Sequence, residues 1–160
     1  MNDRAKHIAP DIFARLPSLP PDNYATHEVT NQATPFTSHN AFTGDRLLTE
    51  IAEREKIAWA TNRLTDAGQT VASAHVARLA RDANRHIPEL RSHDRFGNRI
   101  DEIEFHPAWH ELMTLAIGHG THSLSWTANR PGAHTARGML SYLWNQGENG
   151  ICCPLAACRS

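Results

Sequence analysis

The clearest pattern of apolar and polar positions in the chain lies between Asp94 and Phe105. Gly97 and Asn98 suit a turn there, because glycine lacks the Cβ that clashes at positive φ and asparagine tolerates the left-handed region. After this turn, isoleucine and phenylalanine are interleaved with acidic residues as far as Phe105. The sequence therefore predicts a reversal of the chain and a small hairpin near 95–105.

A helix is predicted to follow, beginning near Pro107. Proline suits the first position of a helix, where its missing N–H is not required, and Gly118 and Gly120 suit the helix end. Glu111 and Thr114 are expected to face away from the core. The apolar residues recur at three- and four-residue steps, which places them on one face that can enter a core: Trp109, Leu112, Met113, Ala116 and Ile117.

Three further stretches have apolar residues at helical spacing. They cover about 43–59, about 62–84 and about 133–146. Gly68 weakens the second stretch slightly and Pro88 ends it. The apolar positions are Leu47, Leu48, Ile51, Ala58 and Trp59 in the first, Leu64, Ala67, Val71, Ala74 and Leu79 in the second, and Ala136, Leu140, Leu143 and Trp144 in the third.

About four main helices, without a strong strand pattern or an internal repeat, are typical of an all-α, bundle-like domain. The predicted helices lie within residues 41–154. Residues 1–40 are rich in Pro, Asn, Thr and Ser, so neither a helix nor a strand can run far in them. We therefore expect one helical domain that is preceded by an extended arm and carries only a small hairpin as sheet.

The composition limits the classes of function. A chain of 160 residues fits one domain, and its formal net charge of −1 gives no overall field that would attract nucleic acid or an anionic membrane. No run approaches the roughly 18 apolar residues of a membrane span, and the N-terminus lacks the apolar core of a signal peptide. We expect a cytoplasmic protein whose three cysteines are free thiols.

Eleven histidines raise the question of a metal site. His106 and His110 are four residues apart at a helix start, and His119 and His122 offer a second pair, but a third ligand is not evident for either. The zincin motif H-E-x-x-H, which the chain begins at His110, needs a second histidine where the chain has Thr114. We expect surface or capping roles for these histidines.

A thiol cluster of Cys152, Cys153 and Cys158 is a further candidate for metal or redox chemistry. Adjacent cysteines cannot easily direct both sulfur atoms into one tetrahedral site. We therefore expect neither function from these residues.

Three arginines, Arg78, Arg81 and Arg85, fall on one side of the second predicted helix. Such a stripe can meet the phosphates of nucleic acid or of coenzyme A, although it is more often a solvated face. It leaves open an alternative function, that of a small helical interaction module whose Pro-rich arm and arginine-bearing helix bind a partner protein or nucleic acid.

The chain has four tryptophans that could line a ligand pocket, but their positions on apolar helix faces favour packing in the core. They are Trp59, Trp109, Trp126 and Trp144.

Four segments of the chain together resemble one protein family. They are THEVTNQATPF at 26–36, DRFGNRIDEIEFHPAWHELM at 94–113, HSLSW at 122–126 and ENGICCP at 148–154. They resemble the N-terminal domain of the AidB-like branch of the acyl-CoA dehydrogenase flavoproteins, a branch linked to the DNA alkylation response. The resemblance implies an FAD-dependent oxidoreductase acting on acyl-CoA-like substrates. It also implies an N-terminal helical domain, a β-domain and a C-terminal bundle with FAD between them, and subunits that assemble as tetramers.

The chain departs from that family after Pro154. The family continues there through a Met-Thr pair into the β-domain that begins to hold the flavin, whereas this sequence reads LAACRS. The flavin-binding segments, the catalytic carboxylate and the C-terminal contribution to DNA binding have no counterpart in the chain. We therefore assign no catalytic, cofactor-binding or metal-binding residue, and we expect the chain alone to hold no FAD and to be inactive. Residues 155–160 are interpreted as the divergent tail of a truncated or frame-shifted reading.

Overall fold

The computed structural model describes residues 30–33, 36 and 39–157, so most of the predicted arm lies outside the described residues. These residues form seven α-helices, a short 3₁₀ turn at Ala58–Ala60 and a two-stranded antiparallel sheet. None of these helices combines the length and the apolar character that crossing a membrane requires. The elements are α1 (Arg46–Arg54), α2 (Thr61–Val71), α3 (Ala74–Arg85), β1 (Glu89–His93), β2 (Arg99–Glu104), α4 (Pro107–Gly118), α5 (Leu124–Thr127), α6 (Ala133–Gly147) and α7 (Cys152–Ala157).

The sheet corrects the prediction of an all-α domain. The hairpin begins at Glu89 instead of near residue 95, and the sequence pattern predicts no strand where β1 lies. All residues of β1 are exposed, so burial imposes no alternation of apolar and polar residues on this strand. Backbone hydrogen bonds to β2 hold the strand in place. Such bonds do not depend on the side chains, so the spacing of apolar residues does not reveal them. The domain is therefore mainly helical with one small sheet.

The predicted helix at 62–84 is two helices in the structure. Ser73 has an extended backbone, with φ −77° and ψ 149°, and its Oγ accepts a hydrogen bond from the backbone N–H of Val76 at 3.2 Å. Serine competes for backbone hydrogen bonds in this way, which favours a helix start over a helix interior. The first predicted helix is also shorter than expected, since it ends at Arg54 and Lys56 adopts the left-handed conformation at φ 55°.

The helices that follow Pro107 and Gly132 begin where the sequence predicts them. Pro107 is the first residue of α4, and Gly132, at φ 76°, precedes α6. Every residue of the predicted apolar stripe of α6 is buried, and Trp144 has no exposed surface. These side chains belong to a core that also includes residues of α2 and α4, and they are removed from water there. Burial of apolar surface in this core is the main force that stabilises the domain.

Some apolar positions that the spacing places inside are exposed. Leu47 is 64% exposed and Ile117 is 44% exposed, and Ala58 is also at the surface. In α1 the core-facing pair is Leu48 and Ala52, and successive helical residues point about 100° apart. Leu47 therefore faces solvent.

The chain that enters α1 passes directly over α2 at Gly68. The backbone N–H of Ala41 donates to the carbonyl oxygen of Gly68 at 3.1 Å, and Nδ2 of Asn40 donates to the carbonyl oxygen of Thr65 at 2.8 Å. A Cβ on Gly68 would lie 2.6 Å from the backbone nitrogen of Phe42, closer than such atoms can approach. The sequence indicates Gly68 only as a residue that weakens a helix. In the structure, its missing Cβ allows the chain before α1 to pass close to α2.

Two arginines from different helices fix the turn after α4. Arg63 of α2 donates from Nη1 to the carbonyl oxygen of His119 at 3.0 Å, and Arg137 of α6 donates from Nε to that of Thr121 at 3.1 Å. Gly120 lies between these two carbonyls at φ 75°, and a Cβ there would lie 2.6 Å from Nη1 of Arg63. The turn thus links α2, α4 and α6.

The hairpin turn is organised by the carboxylate of Asp94. One of its oxygens accepts from the backbone N–H groups of Phe96 at 2.8 Å and Asn98 at 2.9 Å, and the other accepts from Nδ2 of Asn98 at 2.8 Å. Gly97 supplies the positive φ of 87° that the turn needs. The side-chain hydrogen bond from Asn98 is the main cause that holds the pKa of Asp94 below its usual value, and backbone hydrogen bonds add to it.

We predict that acid weakens this turn. Because the pKa of Asp94 is lower in the folded turn than in an unfolded chain, its stabilising contribution is present above the unfolded pKa and is lost as pH falls through the folded pKa. An NMR titration should show the carboxyl carbon of Asp94 and the amide of Asn98 shifting together at a pH below that of an unfolded aspartate. In Asp94→Asn this coupled acid transition should be absent, and its persistence would contradict the prediction.

Candidate functional site

The best candidate for a ligand or partner site is an open groove at one end of the domain, which we call the tip groove. It lies between the end of α3, the base of the hairpin, the first turn of α4 and the loop from α6 to α7, and it encloses about 510 Å³. Its lining is mostly apolar. The residues that line it are Ala83, Asn84, Pro88, Phe105, Trp109, Glu148, Gly150 and Pro154.

The aromatic wall of the tip groove is built where β2 leads into α4. Phe105 stacks on Trp109, with ring centroids 4.2 Å apart and planes at 23°. His106 caps α4, since its Nδ1 accepts from the backbone N–H of Ala108 at 3.2 Å, and it stacks on His86 at 4.6 Å. These contacts fix the direction in which the chain enters α4, and they confirm a capping role for His106.

The polar wall of the tip groove is already paired. Nδ2 of Asn84 donates to Oε2 of Glu148 at 2.7 Å, and the backbone N–H of Gly150 donates to the other carboxylate oxygen, also at 2.7 Å. The groove therefore offers a ligand an apolar surface and one negative charge whose two oxygens both have partners.

Cys152 and Cys153 lie beside this wall and differ in environment. Cys152 is partly buried, and its Sγ donates to the carbonyl oxygen of Glu148 at 3.6 Å, whereas Cys153 is exposed. Burial raises the pKa of the Cys152 thiol, and the charge of Glu148 raises it further. Cys158 lies outside the described residues.

We predict that Cys153 is alkylated before Cys152 near neutral pH. The thiolate is the reactive form, and the raised pKa of Cys152 lowers its thiolate fraction while partial burial limits access. Timed reaction with iodoacetamide followed by peptide mass spectrometry measures the two rates separately. Glu148→Gln should speed modification of Cys152 and leave Cys153 unchanged; equal rates in the unaltered protein would contradict the prediction.

The histidine pairs do not form a metal centre in the part of the chain that the structure describes. There, no group of three His, Cys, Asp or Glu side chains is placed to hold an ion. His119 is 8% exposed, and its Nε2 lies 3.2 Å from Oδ2 of Asp66. His110 is exposed at the edge of the Trp109 ring. The sequence does not foresee the burial of His119.

The arginines of α3 lie on its exposed face. Nη2 of Arg78 is 3.0 Å from Nδ1 of His75, whose Nε2 is 2.8 Å from a carboxylate oxygen of Glu111 in α4. Arg81 and Arg85 are also exposed. The predicted stripe therefore exists, and it faces away from the core.

Core packing is confirmed for three of the four tryptophans and is wrong for Trp126. Trp144 is fully buried, and Trp59 and Trp109 pack against the core. Trp126 is 52% exposed, with the guanidinium of Arg137 5.0 Å from its ring centroid. It belongs to the short helix α5, whose only buried residue is Leu124, so the helix does not carry the tryptophan into the core.

Comparison with known proteins identifies the family. The family model described as "Adaptive response protein AidB N-terminal domain" matches residues 31–160. The chain belongs to this family. The AidB match runs through residues 155–160, and their interpretation as a divergent tail stays a prediction.

A curated relative supports the AidB assignment. The protein named "Putative acyl-CoA dehydrogenase AidB" from Escherichia coli (strain K12) is 37% identical to the chain over 134 residues, which cover 83% of the chain and 25% of that protein. The chain thus spans about a quarter of the length of this AidB relative.

Two solved structures share the fold of this AidB domain. The Caenorhabditis elegans protein ACDH-11 in complex with C11-CoA has a TM-score of 0.66 and 20% identity, with 87% of this chain and 24% of that chain covered. The apo form of Bd2924 has a TM-score of 0.61 and 21% identity, with 71% of this chain and 24% of that chain covered. Both similarities concern the fold alone.

Proposed function

We propose that this chain acts as the N-terminal helical domain of an AidB-type, FAD-dependent acyl-CoA dehydrogenase, and that it contributes a wall and an assembly surface but no catalytic group. The observation that carries the proposal is the AidB family match over residues 31–160. In this proposal residues 1–40 form an arm, 41–154 form the domain and 155–160 are a tail. The protein works in the cytoplasm, with subunits that assemble as tetramers.

The tip groove is the surface that we assign to the ligand cavity. Its apolar lining suits an acyl chain, because binding there removes apolar surface from water. It lies beside Pro154 and α7, where the resemblance places the approach to the flavin domain.

The tip groove does not suit a whole FAD. Asn84 and Glu148, the polar side chains of the tip groove, pair with each other, and Glu148 would repel the pyrophosphate. The groove is open and has no cationic side chain in its lining. FAD in this proposal is therefore held by other domains of the family, as are the acyl-CoA thioester and any DNA.

A chimera tests the proposal. The chain replaces the segment of the Escherichia coli relative that it matches, and flavin absorbance and acyl-CoA oxidation are measured after purification. We expect the chimera to retain bound flavin and the chain alone to remain colourless with added FAD. A folded chimera without flavin would contradict the domain assignment, and acyl-CoA oxidation by the chain alone would contradict the absence of catalytic groups.

Two variants of the chimera test the place of the tip groove. Phe105→Ala removes part of the aromatic wall and is expected to weaken acyl-CoA binding by roughly tenfold, the loss that follows from a buried apolar contact. Trp126→Ala removes an exposed ring outside the tip groove and should leave binding unchanged. Equal acyl-CoA affinities in the two variants would contradict the assignment of the tip groove to the ligand cavity.

A further inference from the structure

The loop between α6 and α7 joins an asparagine to a glycine. Asn149 is exposed, and it is the one asparagine of the chain that a glycine follows. The backbone nitrogen of a residue can attack the side-chain carbonyl carbon of a preceding asparagine, and the side chain of the attacking residue usually hinders this approach. Glycine has no Cβ, so Gly150 leaves the approach open and allows the backbone torsions that the attack needs. The loop therefore holds a reactive pair.

Two other exposed asparagines are less favourable for this reaction. Asn129 is followed by Arg130, whose backbone N–H donates to the carbonyl oxygen of Ala128 at 2.8 Å. Asn145 lies inside α6, where the next backbone nitrogen is held by the helix, and its own Nδ2 donates to the carbonyl oxygen of Ser141 at 2.7 Å. In both cases the attacking nitrogen is restrained and belongs to a residue with a side chain.

The nitrogen that attacks at Asn149 has a charged partner. The backbone N–H of Gly150 donates to Oε1 of Glu148 at 2.7 Å, and Oε2 of Glu148 accepts from Nδ2 of Asn84. A Cβ on Gly150 would lie 2.7 Å from the same carboxylate oxygen, so glycine also permits this contact. Attack requires the nitrogen to lose its proton and gain negative charge, which the neighbouring carboxylate disfavours by like-charge repulsion. Glu148 therefore opposes the reaction, and Asn84 holds Glu148 in place.

We propose that Asn149 is a site of spontaneous deamidation and that the carboxylate of Glu148 slows it. The nitrogen of Gly150 loses its proton to water and forms a bond to Cγ of Asn149, while the side-chain nitrogen takes up a proton and leaves as ammonia. The cyclic succinimide then takes up one water molecule at either carbonyl carbon, which gives aspartate or isoaspartate. No oxidant or reductant is involved. The inference goes beyond the proposed function and does not depend on flavin or acyl-CoA binding.

The modification changes the polar wall of the tip groove. Either product places a second carboxylate beside Glu148, so like-charge repulsion acts on the carboxylate that Asn84 holds. Isoaspartate also lengthens the main chain between α6 and α7 by one atom. The carbonyl oxygen of Asn149 accepts from the backbone N–H of Cys152 at 3.0 Å, and in isoaspartate this carbonyl becomes a free carboxylate outside the main chain. The wall of the groove and the start of α7 therefore change together.

Incubation of the full chain in mildly alkaline buffer tests the site. Samples taken over time are digested with trypsin, and the peptide 138–159, which carries both Asn149 and Asn145, is sequenced by tandem mass spectrometry. A zero-time sample corrects for conversion during digestion. We expect the mass change of replacing NH₂ by OH at least roughly tenfold faster at Asn149 than at Asn145, with isoaspartate among the products when isoaspartyl methyltransferase is applied. Equal rates at the two residues, no conversion at Asn149, or aspartate as the sole product overturns the proposal.

Two charge variants test the part assigned to Glu148. Glu148→Gln removes the charge and leaves one acceptor oxygen for two donors, so we expect deamidation of Asn149 to accelerate roughly fivefold. Glu102→Gln is the matched control, because Glu102 is an exposed acid of β2, and it should leave the rate unchanged. Circular dichroism confirms folding of each variant. An unchanged or lower rate in Glu148→Gln, or an equal acceleration in Glu102→Gln, overturns the role of Glu148. Flavin retention by the chimera is a separate measurement, so the inference and the proposed function fail separately.

Discussion

Replacing Trp144 by alanine is expected to lower the free energy of unfolding by about 3–5 kcal/mol. The side chain is fully buried in α6, and its removal loses the transfer free energy of the indole and leaves a cavity. Since small domains are stable by only about 5–15 kcal/mol, the variant should be close to unfolding at room temperature. Urea denaturation followed by circular dichroism measures the change in the midpoint.

The control for Trp144→Ala is Trp126→Ala. Trp126 is 52% exposed and contacts Arg137 through a cation–π interaction, so its loss should cost about 0.5–1 kcal/mol. Both variants remove the same type of side chain, so the difference between their free energies of unfolding gives the contribution of burial to stability. Similar midpoints for the two variants would contradict the placement of Trp144 in the core.

Gly68→Ala is expected to destabilise the domain by about 1–3 kcal/mol, although alanine is the better helix former. The added Cβ would lie 2.6 Å from the backbone nitrogen of Phe42, and Ala41 is held to Gly68 by a backbone hydrogen bond. The neighbour is therefore main chain, which cannot swing aside as a flexible side chain can. Thermal and urea unfolding should both show the loss.

The matched control is Gly138→Ala in α6. No atom lies within 4 Å of a Cβ at Gly138, so only the helix propensity changes, and stability should rise by about 0.5–1 kcal/mol. The two identical substitutions are thus expected to have opposite signs. A stabilising effect at Gly68 would show that the segment at Asn40–Phe42 is not seated on α2.

The parts of the fold that follow from sequence are those that local chemistry fixes. Pro107 and Gly132 mark the starts of α4 and α6. The missing N–H of proline and the positive φ of glycine are properties of the residues themselves, so they limit a helix at these positions in any tertiary environment. The break at Ser73 is harder to predict, since a serine inside a helical pattern is only sometimes a cap. β1 is harder still, because its pairing with β2 involves backbone atoms and no periodic burial.

The tip groove is predictable only in part. The segment around Trp109 stands out in the sequence, but its spacing indicates core packing, and the tryptophan both packs on the core and lines the tip groove. The opposite wall depends on the contact between Asn84 and Glu148, which are 64 residues apart. No local pattern specifies such a pair, because it depends on how α3 and the end of α6 meet.

The two arginines at the turn after α4 have a consequence for the order of folding. Arg137 reaches Thr121 across 16 residues, whereas Arg63 reaches His119 across 56. Closing the longer loop costs about 1 kcal/mol more chain entropy. The segment from α4 to α6 is therefore the part that can form early in the transition state, and α2 joins it afterwards. In kinetic terms, we expect a change at Arg137 to slow folding and a change at Arg63 mainly to speed unfolding.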